Sequence, residues 1–229
     1  MEFPDLPGAV ARVRETVARH QRVAGWEHEV RIIAVTKTHG PEAVRAAAKA
    51  GLTDVGENRV QEALAKLELA ADAGVAWHLI GTLQRNKARQ VAGRFALVHS
   101  VDRADLAMEL DRRMAPGARQ AVLVQVNCSA EAQKGGVAPD ELLHLLADLG
   151  ACAQIEVRGL MTMSALTDDR NEQRRAFRLL RELRDGAERE GHRLPELSMG
   201  MSGDYPIAVE EGATMIRLGT VLFGERPHD

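Results

Sequence analysis

Val30-Arg31-Ile32-Ile33-Ala34-Val35-Thr36-Lys37 decides the reading of the fold. A short apolar run of this kind, rich in β-branched residues, is the signature of a strand buried on both faces. From this run outward, short apolar stretches alternate with amphipathic ones to the end of the chain. Strands are expected at Arg31–Thr36, Asp54–Gly56, Trp77–Gly81, Leu97–Ser100, Ala121–Asn127, Val157–Met161, Glu196–Met199 and Met215–Leu218, with the second and seventh the weakest patterns.

Helical spacing fills the intervals. Val60, Ala63, Leu64, Leu67 and Ala71 recur at i, i+3, i+4 and i+7, as do Leu142, Leu145, Leu146 and Leu149. Ala176, Leu180, Leu183 and Ala187 form a third apolar stripe, and Leu106, Leu110 and Met114 a fourth, behind Asp102 and Asp105. Pro41 and Pro139 stand where first helical turns begin. A further helix, from about Pro7 to Arg22, precedes the first strand.

Eight β/α units in 229 residues predict a single (β/α)8 TIM barrel with an extra N-terminal helix, spanning residues 1–229 as one domain. A doubly wound sheet is the competing fold, but it uses fewer strands and leaves the closing glycine-rich segment without a role. No Pro/Gly/Ser-rich linker divides the chain.

Bulk composition narrows the function. A net charge of −3 and 3% aromatic residues give neither a basic footprint for nucleic acid nor a base-stacking platform. No run approaches the 18 apolar residues of a membrane span, and residues 1–8 lack the pattern of a secretion signal. Cys128 and Cys152 form no CxxC pair, so they read as small buried hydrophobes in a reduced, cytoplasmic protein. The eight histidines show no ligand spacing, and P-loop, G-x-S-x-G and G-x-G-x-x-G motifs are absent.

In a (β/α)8 barrel the chemistry lies at the C-terminal strand ends. The first strand ends on Lys37, one of only five lysines among thirty basic residues. Arginine cannot replace lysine where an amine must lose its proton and attack a carbonyl, the chemistry that anchors pyridoxal 5′-phosphate (PLP) as a Schiff base. The plainer reading is a lysine snorkelling from a strand end.

The last two strand ends supply a complementary set. Met201-Ser202-Gly203 and Arg217-x-Gly219-Thr220 combine backbone access, hydroxyl donors and a guanidinium, the parts of a phosphate site after strands 7 and 8. Taken singly, each glycine serves a turn. Asn58 reads equally as a cofactor contact or a helix N-cap, and His78 as a satisfied core histidine. Arg85, Lys87 and Arg89 read as the solvated face of a short basic helix.

These residues also carry a resemblance. Ala34-Val35-Thr36-Lys37-Thr38, Gly56-Glu57-Asn58-Arg59-Val60-Gln61-Glu62, Trp77-His78-Leu79-Ile80-Gly81-Thr82-Leu83-Gln84-Arg85-Asn86-Lys87 and Val124-Gln125-Val126-Asn127 occur in order. Arg158-Gly159-Leu160-Met161-Thr162-Met163, Leu197-Ser198-Met199-Gly200-Met201-Ser202, Met215-Ile216-Arg217-Leu218-Gly219-Thr220 and Phe223-Gly224 follow. Over residues 10–226 the chain resembles the YggS/PROSC family of PLP homeostasis proteins.

The resemblance implies a barrel like the N-terminal domain of alanine racemase, with PLP as a Schiff base on Lys37. It also implies phosphate contacts from Ser202, Arg217, Gly219 and Thr220, with Asn58 beside the cofactor. The implied role is carrying or buffering PLP, with transient delivery to apo PLP-dependent enzymes and no catalytic residue; the chain is expected to be a monomer. Alanine racemases bring a catalytic tyrosine from a second domain, whereas the one tyrosine here is Tyr205, which disfavours a weakly active racemase. An interaction module with vestigial PLP binding is the third reading.

Two departures stand out. Some family members carry a lysine pair near the C-terminus linked to PLP release, whereas this chain has no lysine after Lys134 and ends Arg226-Pro227-His228-Asp229. Pro206 replaces a residue that is often acidic and is expected to stiffen a helix start. Lys134, before Gly135-Gly136, is expected on a mobile surface loop, with a secondary PLP contact as the alternative.

Overall fold

The computed structural model describes residues 3–129, 131 and 134–225. Eight parallel strands close into a barrel in chain order, β1 pairing with both β2 and β8. They are β1 Arg31–Val35, β2 Asp54–Glu57, β3 Ala76–Leu79, β4 Leu97–Val101, β5 Gln120–Gln125, β6 Ile155–Met161, β7 Glu196–Ser198 and β8 Met215–Leu218. Every expected strand is present, β8 with the expected bounds and the others within one or two residues of theirs. β5 stops at Gln125, and Val126 instead bridges to Val137 in the loop that follows.

The helices lie outside this barrel. They are α1 Leu6–Ala24, α2 Pro41–Lys49, α3 Val60–Leu69, α4 Ala88–Val91, α5 Ala104–Arg113, α6 Leu142–Gly150, α7 Arg170–Arg189, α8 Tyr205–Glu210 and α9 Thr220–Phe223. Their ends follow local chemistry. Pro41 opens α2, Pro206 falls in the first turn of α8, and Asp169 caps α7 by accepting from the Asn171 N–H at 2.8 Å. Gly25, at φ 77°, supplies the left-handed residue that ends α1. Extra helix α1 packs against α8 and α9, where the first and last β/α units meet.

Two apolar layers result from the alternation along each strand. Ala34, Val55, Leu79, Val98, Val122 and Leu160 point outward into the large core beneath the helices. Ile33, Leu97, Leu123, Met161 and Met215 form a small separate cluster. With one-residue alternation, these belong to the inward face, as do Arg31, Asp54, His78, His99, Ser198 and Arg217.

The inner face of α3 departs from its predicted stripe. It buries Val60, Ala63 and Lys66, while Leu64 and Leu67 are only partly covered. The cause is Glu57, fully buried at the end of β2, which needs a counter-charge. Lys66 Nζ lies 2.7 Å from Glu57 Oε1 and donates to the Thr36 carbonyl at 2.7 Å. Ala63, on the same face of α3, is also fully buried.

Candidate functional site

Lys37 follows β1 in a tight turn closed by a hydrogen bond from the His39 N–H to the Thr36 carbonyl at 3.1 Å. Thr38 holds φ 69°, a left-handed conformation that a β-branched residue rarely adopts and that glycine usually fills at this turn position. Beneath the turn, Thr36 Oγ1 donates to Glu57 Oε1 at 2.6 Å, and Lys66 grips the Thr36 carbonyl. The residue before Lys37 is therefore tied through both its side chain and its backbone.

Lys37 opens into a cavity of 520 Å³ at the C-terminal mouth of the barrel. Asn58, Ser202, Arg217, Gly219 and Thr220 line the same cavity, so all six residues singled out in the sequence converge. That volume lies within the range of small-ligand sites. Gln125 and Gly81 also line it without having been expected there, as does Met163, which reads from the sequence as a core residue. Gln125 had a readable signal, since it alternates with buried Val124 and Val126 on β5 and therefore faces inward.

Ser202 Oγ accepts from the N–H groups of Gly219, at 3.4 Å, and Val221, at 3.3 Å, at the start of α9. These long contacts mark donors gathered at one point. A Cβ built on Gly203 would meet nothing within 4 Å, and one on Gly219 would have atoms of Val35 as its three nearest neighbours, the closest at 3.5 Å. Packing thus does not demand glycine at either position. Both keep cavity space open beside the donors, as a phosphate requires.

Asp204 organises the loop before α8. It is 5% exposed, and its carboxylate accepts from the Met201 N–H and from Ser164 Oγ, each at 2.5 Å. Arg217 has different partners from the donors around Ser202. Its guanidinium donates to Ser198 Oγ at 2.7 Å and to the Thr162 carbonyl at 2.9 Å. Burial pushes it down to about 10, opposed by the Asp204 carboxylate, which leaves it charged at neutral pH.

The remaining expectations divide. His78 is buried and hydrogen-bonded within the barrel, as its alternation implied. Burial pushes the Cys128 thiol up to about 11, in keeping with an inert thiol. Lys134 is more constrained than a mobile surface lysine. It pairs with Glu131 and donates to the Ser164 carbonyl at 2.6 Å, tying its loop to the one after β6. The C-terminal residues 226–229, where the missing lysine pair was noted, lie outside the described residues. Among the described residues, no helix is long and apolar enough to cross a membrane.

Comparison with known proteins gives the lineage. The family model for the alanine racemase N-terminal domain matches residues 9–227. The pyridoxal phosphate homeostasis protein of Aquifex aeolicus is 42% identical over 96% of this chain and 97% of its own length. PipY of Synechococcus elongatus, solved with PLP bound, superposes with a TM-score of 0.84 at 38% identity, covering 96% of this chain and all of PipY. Alanine racemase of Clostridium difficile shares the fold at 15% identity and a TM-score of 0.74, with 99% of this chain matching 57% of the racemase. The chain belongs to the pyridoxal phosphate homeostasis proteins, a family built on the alanine racemase N-terminal barrel.

Proposed function

We propose that this protein binds PLP and carries it as a Schiff base on Lys37, acting in vitamin B6 homeostasis rather than as an enzyme. The observation that carries the reading is the convergence of Lys37 and the Ser202, Gly219 and Thr220 donors on one cavity with glycine-lined space between them. The relatives' names and the PLP-bound PipY support the same cofactor.

Bound PLP supplies a carbonyl for reversible imine formation. The chain supplies the rest. Lys37 provides the amine, and the Thr36–Glu57–Lys66 cluster fixes the backbone it hangs from. Ser202, Thr220 and the amides of Gly219 and Val221 hold the phosphate, and Asn58 borders the ring. Arg217 we assign to the ring rather than the phosphate, because its anchors, Ser198 and the Thr162 carbonyl, lie on the strand ends and not at α9.

A two-base racemase needs a proton donor on each face of the substrate carbon. Tyr205 is 8% exposed at the start of α8 and is absent from the cavity wall, so it offers no second base. We therefore read the protein as a carrier that works as a single chain and hands PLP to apo-enzymes at the open mouth.

Adding PLP to the purified protein and recording the visible spectrum tests this. A yellow band that is present in the wild type and absent in Lys37→Ala, without alanine racemisation, is expected. A protein that stays colourless with excess PLP refutes the cofactor assignment, and measurable racemisation refutes the carrier role. Size-exclusion chromatography with light scattering checks the single-chain state.

A further inference from the structure

A barrel interior is ordinarily filled with branched aliphatic side chains. Here five polar residues from five strands cross it in one hydrogen-bonded line. His78 Nε2 lies 2.9 Å from Asp54 Oδ1, and His78 Nδ1 lies 2.9 Å from His99 Nε2. His99 Nδ1 lies 2.9 Å from Ser198 Oγ, which accepts from Arg217 at 2.7 Å. His78, His99 and Ser198 are at most 1% exposed. Arg217 opens into the Lys37 cavity, while Asp54 and His78 line a second cavity of 250 Å³ with Arg31, Arg158 and Glu196.

The ends set the direction of the line. Arginine can only donate, and an ionised carboxylate can only accept. Burial raises Asp54, but hydrogen bonds from His78 and Thr53 outweigh it and hold the carboxyl below its ordinary value. Burial, reinforced by the positive charge of its neighbours, Arg217 and Arg31 among them, pushes His99 well below the usual imidazole value, so it is neutral.

With one hydrogen on each ring, a single arrangement satisfies every contact. Arg217 donates to Ser198 Oγ, and the Ser198 hydroxyl donates to His99 Nδ1. His99 Nε2–H donates to His78 Nδ1, and His78 Nε2–H donates to Asp54. Both rings must carry hydrogen on Nε2. The Ser198 hydrogen is thereby turned away from Arg217, and its lone pairs always face the guanidinium.

We propose that Asp54, His78, His99 and Ser198 are positioning residues for the cofactor: a uniformly oriented hydrogen-bond chain that fixes the Arg217 guanidinium beneath the Lys37 cavity. The role rests on the PLP reading for what Arg217 meets, and the chain itself rests on geometry alone. Burying this many polar groups is costly unless each is satisfied, and the benefit is a rigid cation where the ligand ring sits. His78 of β3 and Ser198 of β7 touch His99, Arg217 of β8 and Arg31 of β1 act on it through their charge, and Asp54 of β2, Glu196 of β7 and Arg158 of β6 lie at the far cavity. A proton added to His99 would point a second donor at Ser198 and place a cation beside Arg217.

Two measurements test this on the full chain. The first is the imidazole 15N spectrum of the wild type at neutral pH, with and without PLP. Both histidines are expected in the Nε2–H form, and PLP is expected to move their signals although neither ring lines the Lys37 cavity. The second is PLP titration of His99→Phe and Ser198→Ala, followed by absorbance across pH, beside wild type. Binding about tenfold weaker, with a shifted pH midpoint of the bound chromophore, is expected.

Hydrogen on Nδ1 of either ring overturns the chain's direction. Histidine signals unmoved by PLP, or folded variants that bind and titrate like wild type, overturn the positioning role while leaving Lys37 as anchor. If the variants do not fold, the wild-type spectra decide. A wild type that takes up no PLP sinks the cofactor reading and the positioning role together, and the tautomers still test the chain.

Discussion

Replacing Lys66 with methionine removes the cation from a buried pair while keeping most of the side-chain volume. Lys66 Nζ makes two contacts of 2.7 Å, one to Glu57 Oε1 and one to the Thr36 carbonyl. Glu57 is fully buried, and its Oε2 has no hydrogen-bond partner among the described residues. After Lys66→Met, the Thr36 hydroxyl is the one partner known to remain for that carboxylate. Removing one member of a buried pair costs about 3–5 kcal/mol, because the other charge is left uncompensated. For a chain of 229 residues that corresponds to a fall of roughly 6–20 °C in Tm. The assay is thermal and urea unfolding by circular dichroism on wild type, Lys66→Met, Glu57→Gln and the double variant. Neutralising Glu57 should recover at least about 2 kcal/mol of the Lys66→Met loss, since the two residues share one interaction. A loss under about 1 kcal/mol, or strictly additive single effects, would refute the reasoning. Because Lys66 holds the carbonyl before Lys37, the single variant should also bind PLP more weakly.

Three further outcomes follow from the same geometry. Gly219→Val should leave Tm nearly unchanged, since the nearest atoms to an added Cβ, those of Val35, lie at ordinary contact distance, yet should abolish PLP uptake by filling the phosphate space; calorimetric titration and melting read the two effects separately. Gly81→Ala should instead destabilise the fold itself, by about 1–3 kcal/mol, because its Cβ would lie 2.2 Å from the Asn58 carbonyl oxygen and force the β3 loop away; unfolding curves check it. Stability should fall with acid below about pH 6.5. His99 is held neutral in the folded protein but charges near 6.5 when unfolded, so the unfolded state binds the extra proton and gains as pH drops. This one group contributes up to about 1.4 kcal/mol per pH unit, and His99→Phe should flatten that part of a Tm-against-pH curve.

The barrel could be read from the sequence because parallel strands covered on both faces become apolar runs, as Val30–Thr36 and Met215–Leu218 show. The weakest patterns, at Asp54 and Glu196, were weak for a physical reason. Both strands open on carboxylates that face the polar interior with Arg31, so hydrophobicity alone undersells them. The six cavity residues were legible because strand C-termini share one mouth. Lys66 was not, since helical spacing marks a face by its apolar members and cannot show that the buried position opposes a carboxylate. The interior line was equally hidden. His99 and Ser198 are 99 residues apart in the chain and meet only when the barrel closes.

Reduction with borohydride in the presence of PLP, followed by peptide mapping by mass spectrometry, shows which lysine anchors the cofactor. A pyridoxyl-phosphate adduct is expected on the peptide carrying Lys37 and none in Lys37→Ala. An adduct mainly on Lys49, Lys66, Lys87 or Lys134, or no adduct at all, would contradict it.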